Sequence, residues 1–98
     1  MDEGVVRRHA EEHAKSVERG DLAAVASDLV PDLHDQLPAI ASQLPNPTKT
    51  AAVLSVQAAE DHAFVEIRYS GDDKAVTFRS RWEDRGGRPL IVGAEPVE

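Results

Sequence analysis

His9-Ala10-Glu11-Glu12-His13 sets two imidazoles one helical turn apart with a glutamate beside the second. This is the H-x-x-E-H spacing in which paired histidines bind zinc and the carboxylate activates a water. A zinc enzyme needs a third protein ligand, and no other residue has a spacing that supplies one; with no cysteine, thiolate ligation is excluded. No metal is expected, and His9 and His13 are read as flanking the apolar stripe of a helix, with His13 partly buried. A second group is Tyr69, Ser80 and Trp82, with His13 or His34 facing them. A tyrosine and a histidine projecting into an apolar enclosure are groups that polarise a carbonyl or move a proton, so Tyr69 and His34 are the candidate catalytic pair. The acids near them, Asp28, Asp32 and Asp35, have no spacing that singles one out. A third group mixes Arg68, Arg79 and Arg81 with Glu66, Glu83 and Phe64.

Two kinds of element must position these groups. Val6, Ala10, His13, Ala14 and Val17 recur at helical spacing and predict a helix over 5–17, with acids Asp2 and Glu3 at its start and Gly20 as its stop. Asp21 is placed to cap a second helix over 22–29, which Pro31 ends. The stripe Leu33, Leu37, Ile40, Ala41, Leu44 contains Pro38, which cannot donate to an earlier carbonyl. A turn over 31–37 followed by a helix with Pro38 in its first turn is therefore predicted. Past Pro45-Asn46-Pro47 the period drops to two, giving strands over 51–59, 62–70, 75–84 and 89–97 joined by short turns, hence antiparallel.

Alternation sorts the sheet. Val65, Ile67 and Tyr69, with Val76, Phe78, Ser80 and Trp82, point to one face; Phe64, Glu66 and Arg68, with Thr77, Arg79, Arg81 and Glu83, point to the other. The apolar face must pack on the helices, which predicts a single α+β domain over 1–98 with three N-terminal helices on a four-stranded antiparallel sheet. Tyr69, Ser80, Trp82, His13 and His34 then surround a ligand pocket. On the opposite face, interleaved arginines and glutamates satisfy one another across strands, or meet a second copy of the chain, each Arg against the partner's Glu, or leave Arg68, Arg79 and Arg81 to bind an anionic ligand.

Composition narrows the function classes. Of 98 residues, 18 are acidic and 11 basic, a net charge of −7 with no basic segment, which argues against nucleic acid and anionic membranes as partners. No apolar run approaches a membrane span, and the N-terminus lacks the features of a signal peptide. Together with the absence of cysteine, this leads to an expected cytoplasmic location. No P-loop, dinucleotide fingerprint or nucleophile elbow is present, and no cofactor is expected. Asn46-Pro47-Thr48 has proline at its centre and is not a glycosylation site.

Glu18-Arg19-Gly20-Asp21-Leu22-Ala23-Ala24-Val25 resembles the helix-Gly-Asp-helix junction of the nuclear-transport-factor-2-like superfamily, particularly its SnoaL-like branch. The run from Phe78-Arg79-Ser80-Arg81-Trp82 through Gly86-Gly87 to Leu90-Ile91 resembles the last hairpin of that group. The resemblance implies a cystatin-like cone, a curved sheet wrapped around helices with a pocket at its open end, and dimerisation through the outer sheet face. Members include isomerases, dehydratases, polyketide cyclases, hydrolases and proteins that only bind or dimerise. The chain is shorter than typical relatives, Pro89 stands where they often carry tryptophan, and no strand is predicted between the second and third helices. The expected function is therefore a small-molecule-binding or accessory homodimer. The alternatives are an isomerase, cyclase or hydrolase using the Tyr/His pocket, and an interaction module whose cone is filled by side chains.

Overall fold

A computed structural model describes residues 1–97. Helix α1 spans Glu3–Arg19 and begins where the Asp2 carboxylate accepts the Val5 amide at 3.1 Å. It ends at Gly20, whose φ of 69° lets its amide turn back to the carbonyls of Ser16 and Val17. The face it buries carries Val6, Ala10, His13 and Ala14, so the predicted stripe is the packed one. Asp21 caps α2, Leu22–Ser27, by accepting the Ala24 amide at 3.1 Å. A 3-10 turn over Pro31–Gln36 leads into α3, Leu37–Ser42, with Pro38 in its first turn, where a missing amide costs nothing.

The strands are β1 (Thr50–Ala58), β2 (Ala63–Ser70), β3 (Ala75–Arg85) and β4 (Arg88–Val97), a meander in the order β1-β2-β3-β4 with every neighbouring pair antiparallel. The fold is α+β as predicted. Two register shifts interrupt it: Leu54 is the extra residue between Val53 and Ser55, and Val92 the extra residue opposite Arg81 and Trp82. Such bulges strengthen local twist.

Helix α2 is shorter than predicted because the backbone at its end has another partner. The Asp28 carbonyl accepts the Ile91 amide at 2.7 Å, and the Ile91 carbonyl accepts the Val30 amide at 3.0 Å, forming a parallel bridge of Leu29 to Ile91. One bridge thus stands where no strand was predicted, and it joins the helical half to β4.

Helix α1 lies against β1 and β2. The core joins Val6, Ala10 and Ala14 of α1 to Val56, Val65, Ile67, Phe78, Trp82 and Ile91 of the sheet. Trp82 is fully buried at its centre. At the other end of the helical half, Gly71 lies so close beneath Pro45 and Pro47 that a Cβ there would come within 2.7 Å of both. No helix among the described residues is long and apolar enough to cross a membrane.

Candidate functional site

The helices and the sheet enclose a cavity of about 390 Å³. Val17 of α1 and Leu22 and Val25 of α2 form one wall, Leu37, Ile40 and Ala41 of α3 and then Leu44 a second, and Tyr69, Phe78, Ile91 and Ala94 the sheet wall. The 3-10 turn and α3 contain no fully buried residue; Leu37, Ile40 and Ala41 of α3 cover the cavity, while Leu33 of the turn packs against the core. A volume of this size falls within the range of small-ligand pockets, roughly 300 to 1,000 Å³.

Three of the five residues predicted for the pocket line it: His13, Tyr69 and Ser80. Strand alternation brings Tyr69 and Ser80 inward on β2 and β3, and helical spacing brings His13 inward on α1. Trp82 does not reach the cavity but lies behind its wall, where its Nε1–H donates to Ser80 Oγ at 2.9 Å. Ser80 Oγ donates onward to the Val65 carbonyl at 3.3 Å, so its one hydrogen is committed and one of its lone pairs is filled. His34 is away from the cavity. It is exposed, and its Nε2 meets the carbonyls of Ala26 and Leu29 at 2.9 and 3.2 Å, closing off the end of α2. The tight 3-10 turn carries His34 back over α2, an outcome that an α-helical projection does not anticipate.

Two residues that spacing did not single out complete the polar end of the site. Asp28 follows the last residue of α2, and its Oδ2 lies 2.8 Å from His13 Nδ1. Arg88 Nη2 donates to the other oxygen, Asp28 Oδ1, at 2.6 Å from sixty residues away. Burial pushes the Asp28 pKa up, but the hydrogen bond and charge of His13, and then those of Arg88, outweigh it and hold the carboxyl below the ordinary value of 3.8. An ionised carboxylate only accepts, so His13 Nδ1 carries the hydrogen. A legible hint existed in the position of Asp28: a carboxylate at a helix C-terminus faces the negative end of the dipole and calls for cations nearby.

No fully buried side-chain nitrogen or oxygen lacks a partner among the described residues. The Tyr69 hydroxyl and His13 Nε2 bond no protein group there, although their residues are only 5% and 6% exposed. Neither bonded nor sealed, both atoms keep some accessible surface, and the side chains that carry them line the cavity. Burial also pushes the Tyr69 phenol well above its ordinary value of 10, so it stays a neutral donor and acceptor. His13 further sets its ring edge-on to Trp82, with centroids 6.0 Å apart at 88°.

The HxxEH pair does not converge on a metal. Glu12 lies 3.8 Å from Lys15, His13 turns to Asp28, and among the described residues no three His, Cys, Asp or Glu gather as a ligand set.

On the outer sheet face, register sets Phe64 opposite Arg81, Glu66 opposite Arg79 and Arg68 opposite Thr77. The Arg79 guanidinium lies 4.2 Å from the Phe64 ring centre and that of Arg81 5.6 Å. Glu83 accepts from Arg81 Nε at 3.0 Å and from Arg85 Nη2 at 2.8 Å, and these bonds, led by Arg85, hold its carboxyl below the ordinary range. Part of the face is therefore self-paired, whereas Arg68 and Arg79 have no ion-pair partner among the described residues.

Compared with family models, with curated proteins and with solved structures, the chain has no match.

Proposed function

We propose that this protein is a small-molecule-binding domain of the SnoaL-like kind, its helices and sheet forming a short cone that takes an apolar ligand. The observation that carries this reading is the cavity: it is walled mainly by aliphatic and aromatic side chains, and its lining includes the buried Tyr69 and His13, whose OH and Nε2 bond no protein group. A pocket of that make-up binds by apolar burial and orients its guest with a few polar groups. It also weighs against an interaction module with a filled cone. The test is titration with small apolar probes such as naphthalene, followed by intrinsic Trp82 fluorescence. Binding is expected in the wild type and lost in Ala94→Phe, which fills the cavity; no binding to the wild type overturns the proposal.

His13 favours a second reading, an isomerase-, cyclase- or hydrolase-type enzyme. An imidazole held at Nδ1 by a carboxylate, with Nε2 facing an apolar pocket, is the arrangement of a general base, and Tyr69 would serve as the neutral hydrogen-bond donor. His13 replaces His34 in that role, because His34 is not at the cavity. Turnover of a substrate that is lost in both His13→Phe and Tyr69→Phe would establish it.

The outer sheet face is the proposed homodimer surface. Its support is charge complementarity: Arg68 and Arg79 lack ion-pair partners while Glu66 and Glu95 flank Arg79 on neighbouring strands. Light scattering at high micromolar concentration is expected to give twice the chain mass, and a monomer there overturns it. The cysteine-free composition and net charge of −7 support a cytoplasmic site of action away from nucleic acid.

A further inference from the structure

We infer that the cavity selects apolar molecules that carry a hydrogen-bond donor, a hydroxyl above all, and that it does so through the Nε2 lone pair of His13. The inference rests on the proposed ligand-binding reading and names the chemical class of the guest.

The polar atoms of the cavity wall are few, and most are committed. Ser80 Oγ accepts from Trp82 and donates to Val65, and Thr48 Oγ1 donates to the Pro45 carbonyl at 2.9 Å. Glu18 accepts the Ala51 amide through Oε2 at 2.7 Å. Arg19 and Asn46 line the cavity from exposed positions, so the buried side chains that keep an uncommitted polar atom are Tyr69 and His13, and they differ in kind. The Tyr69 hydroxyl can give or take a hydrogen bond and so discriminates little. His13 is discriminating, because Asp28 decides which of its nitrogens carries the hydrogen. The ionised Asp28 carboxylate requires Nδ1–H, so whenever the ring carries a single hydrogen Nε2 is an acceptor only. Arg88 holds the other Asp28 oxygen, so the carboxylate is clamped from both sides and the imidazole is edge-packed on Trp82. Neither the tautomer nor the ring orientation is left to the ligand.

Charge points the same way. The paired Asp28 and Arg88 carry opposite charges, as do Glu18 and Arg19 of the lining, so these two pairs add no net charge with which to attract an ion. A neutral guest whose hydroxyl donates to Nε2 satisfies an acceptor that the protein leaves without a partner, whereas a guest lacking a donor takes Nε2 out of water and returns nothing. Selection by an otherwise unpaired buried polar atom is stronger than selection by apolar shape.

The experiment compares 1-naphthol, 1-methoxynaphthalene and naphthalene on the full chain at neutral pH by Trp82 fluorescence. These probes share one apolar body and offer respectively a donor and acceptor, an acceptor alone, and neither. The expected result is that 1-naphthol binds roughly tenfold more tightly than the other two. Asp28→Asn then provides a sharper test. Arg88 only donates and keeps the amide oxygen, so the amide nitrogen faces His13 Nδ1 and donates to it, which moves the imidazole hydrogen to Nε2. In that variant the preference for 1-naphthol over 1-methoxynaphthalene is expected to fall to about threefold or less. Equal affinity of the wild type for all three probes overturns the donor selection while leaving the cavity a binding site. Binding of none overturns the ligand-binding reading and the selection with it. The wild-type comparison needs no variant, so a misfolded Asp28→Asn chain does not protect the inference.

Discussion

His13 Nδ1 donates across 2.8 Å to Asp28 Oδ2, a bond between residues fifteen positions apart that ties the middle of α1 to the end of α2. The same carboxylate takes Arg88 on its other oxygen, so one side chain joins the first helix, the second helix and the β3–β4 hairpin. Since Asp28 also bonds Ile91 through its carbonyl, this position anchors the helical half to β4 by both backbone and side chain.

Asp28→Ala is expected to destabilise the protein by about 2 kcal/mol, because it strands two polar partners at a partly buried site. The loss depends on pH in a definite sense. The folded carboxyl titrates below 3.8, so the stability it contributes is fully present above that value and disappears as pH falls through the lower folded one. Chemical denaturation of wild type and variant should show a constant gap at neutral pH that closes below pH 3.8.

Tyr69 gives the opposite dependence. Burial raises its phenol above 10, so the folded state holds the proton more tightly than the unfolded chain, and the associated stability, present below pH 10, is lost as pH rises beyond it. Tyr69 is the one tyrosine of the sequence. Ultraviolet titration should therefore show tyrosinate appearing later than in the unfolded chain and together with alkaline unfolding. Tyrosinate forming near pH 10 in a still-folded protein would mean that the phenol is not buried.

The two rings on opposite sheet faces should differ in cost. Trp82 is wholly buried and donates to Ser80, so Trp82→Ala is expected to cost about 3 to 5 kcal/mol and to loosen the cavity wall. Phe64 is half-buried under Arg79, so Phe64→Ala should cost about 1 kcal/mol in the monomer. Thermal or denaturant melts of the two variants separate these values readily. If Phe64→Ala also converts a dimer to a monomer, the outer face is the self-association surface.

Gly71→Ala should destabilise by about 1 to 3 kcal/mol, since the new methyl would meet Pro45 Cβ and the Pro47 carbonyl at 2.7 Å, and a backbone oxygen cannot rotate aside. Pro45 and Pro47 border the cavity, so the substitution should also weaken probe binding. Melting and naphthalene titration of the same variant check both.

What the chain declares about itself is local. Asp2, Gly20, Asp21 and Pro38 mark where helices start and stop because capping and proline geometry act within one turn. The two-residue alternation of β2 and β3 assigns Tyr69, Phe78 and Ser80 to the inner face because the pleat leaves no other choice. His13 is inward for the same kind of reason, by its place in the α1 stripe. Tertiary structure alone decided which polar groups meet. Asp28 and Arg88 belong to no periodic pattern, and their pairing arises because the Leu29–Ile91 bridge draws the end of α2 onto β4. It also decided that His34 folds back over α2 and that Trp82 supports the cavity from behind. Whether the space beneath α3 is filled or open depends on how far the helices stand from the sheet, a distance that no residue spacing encodes.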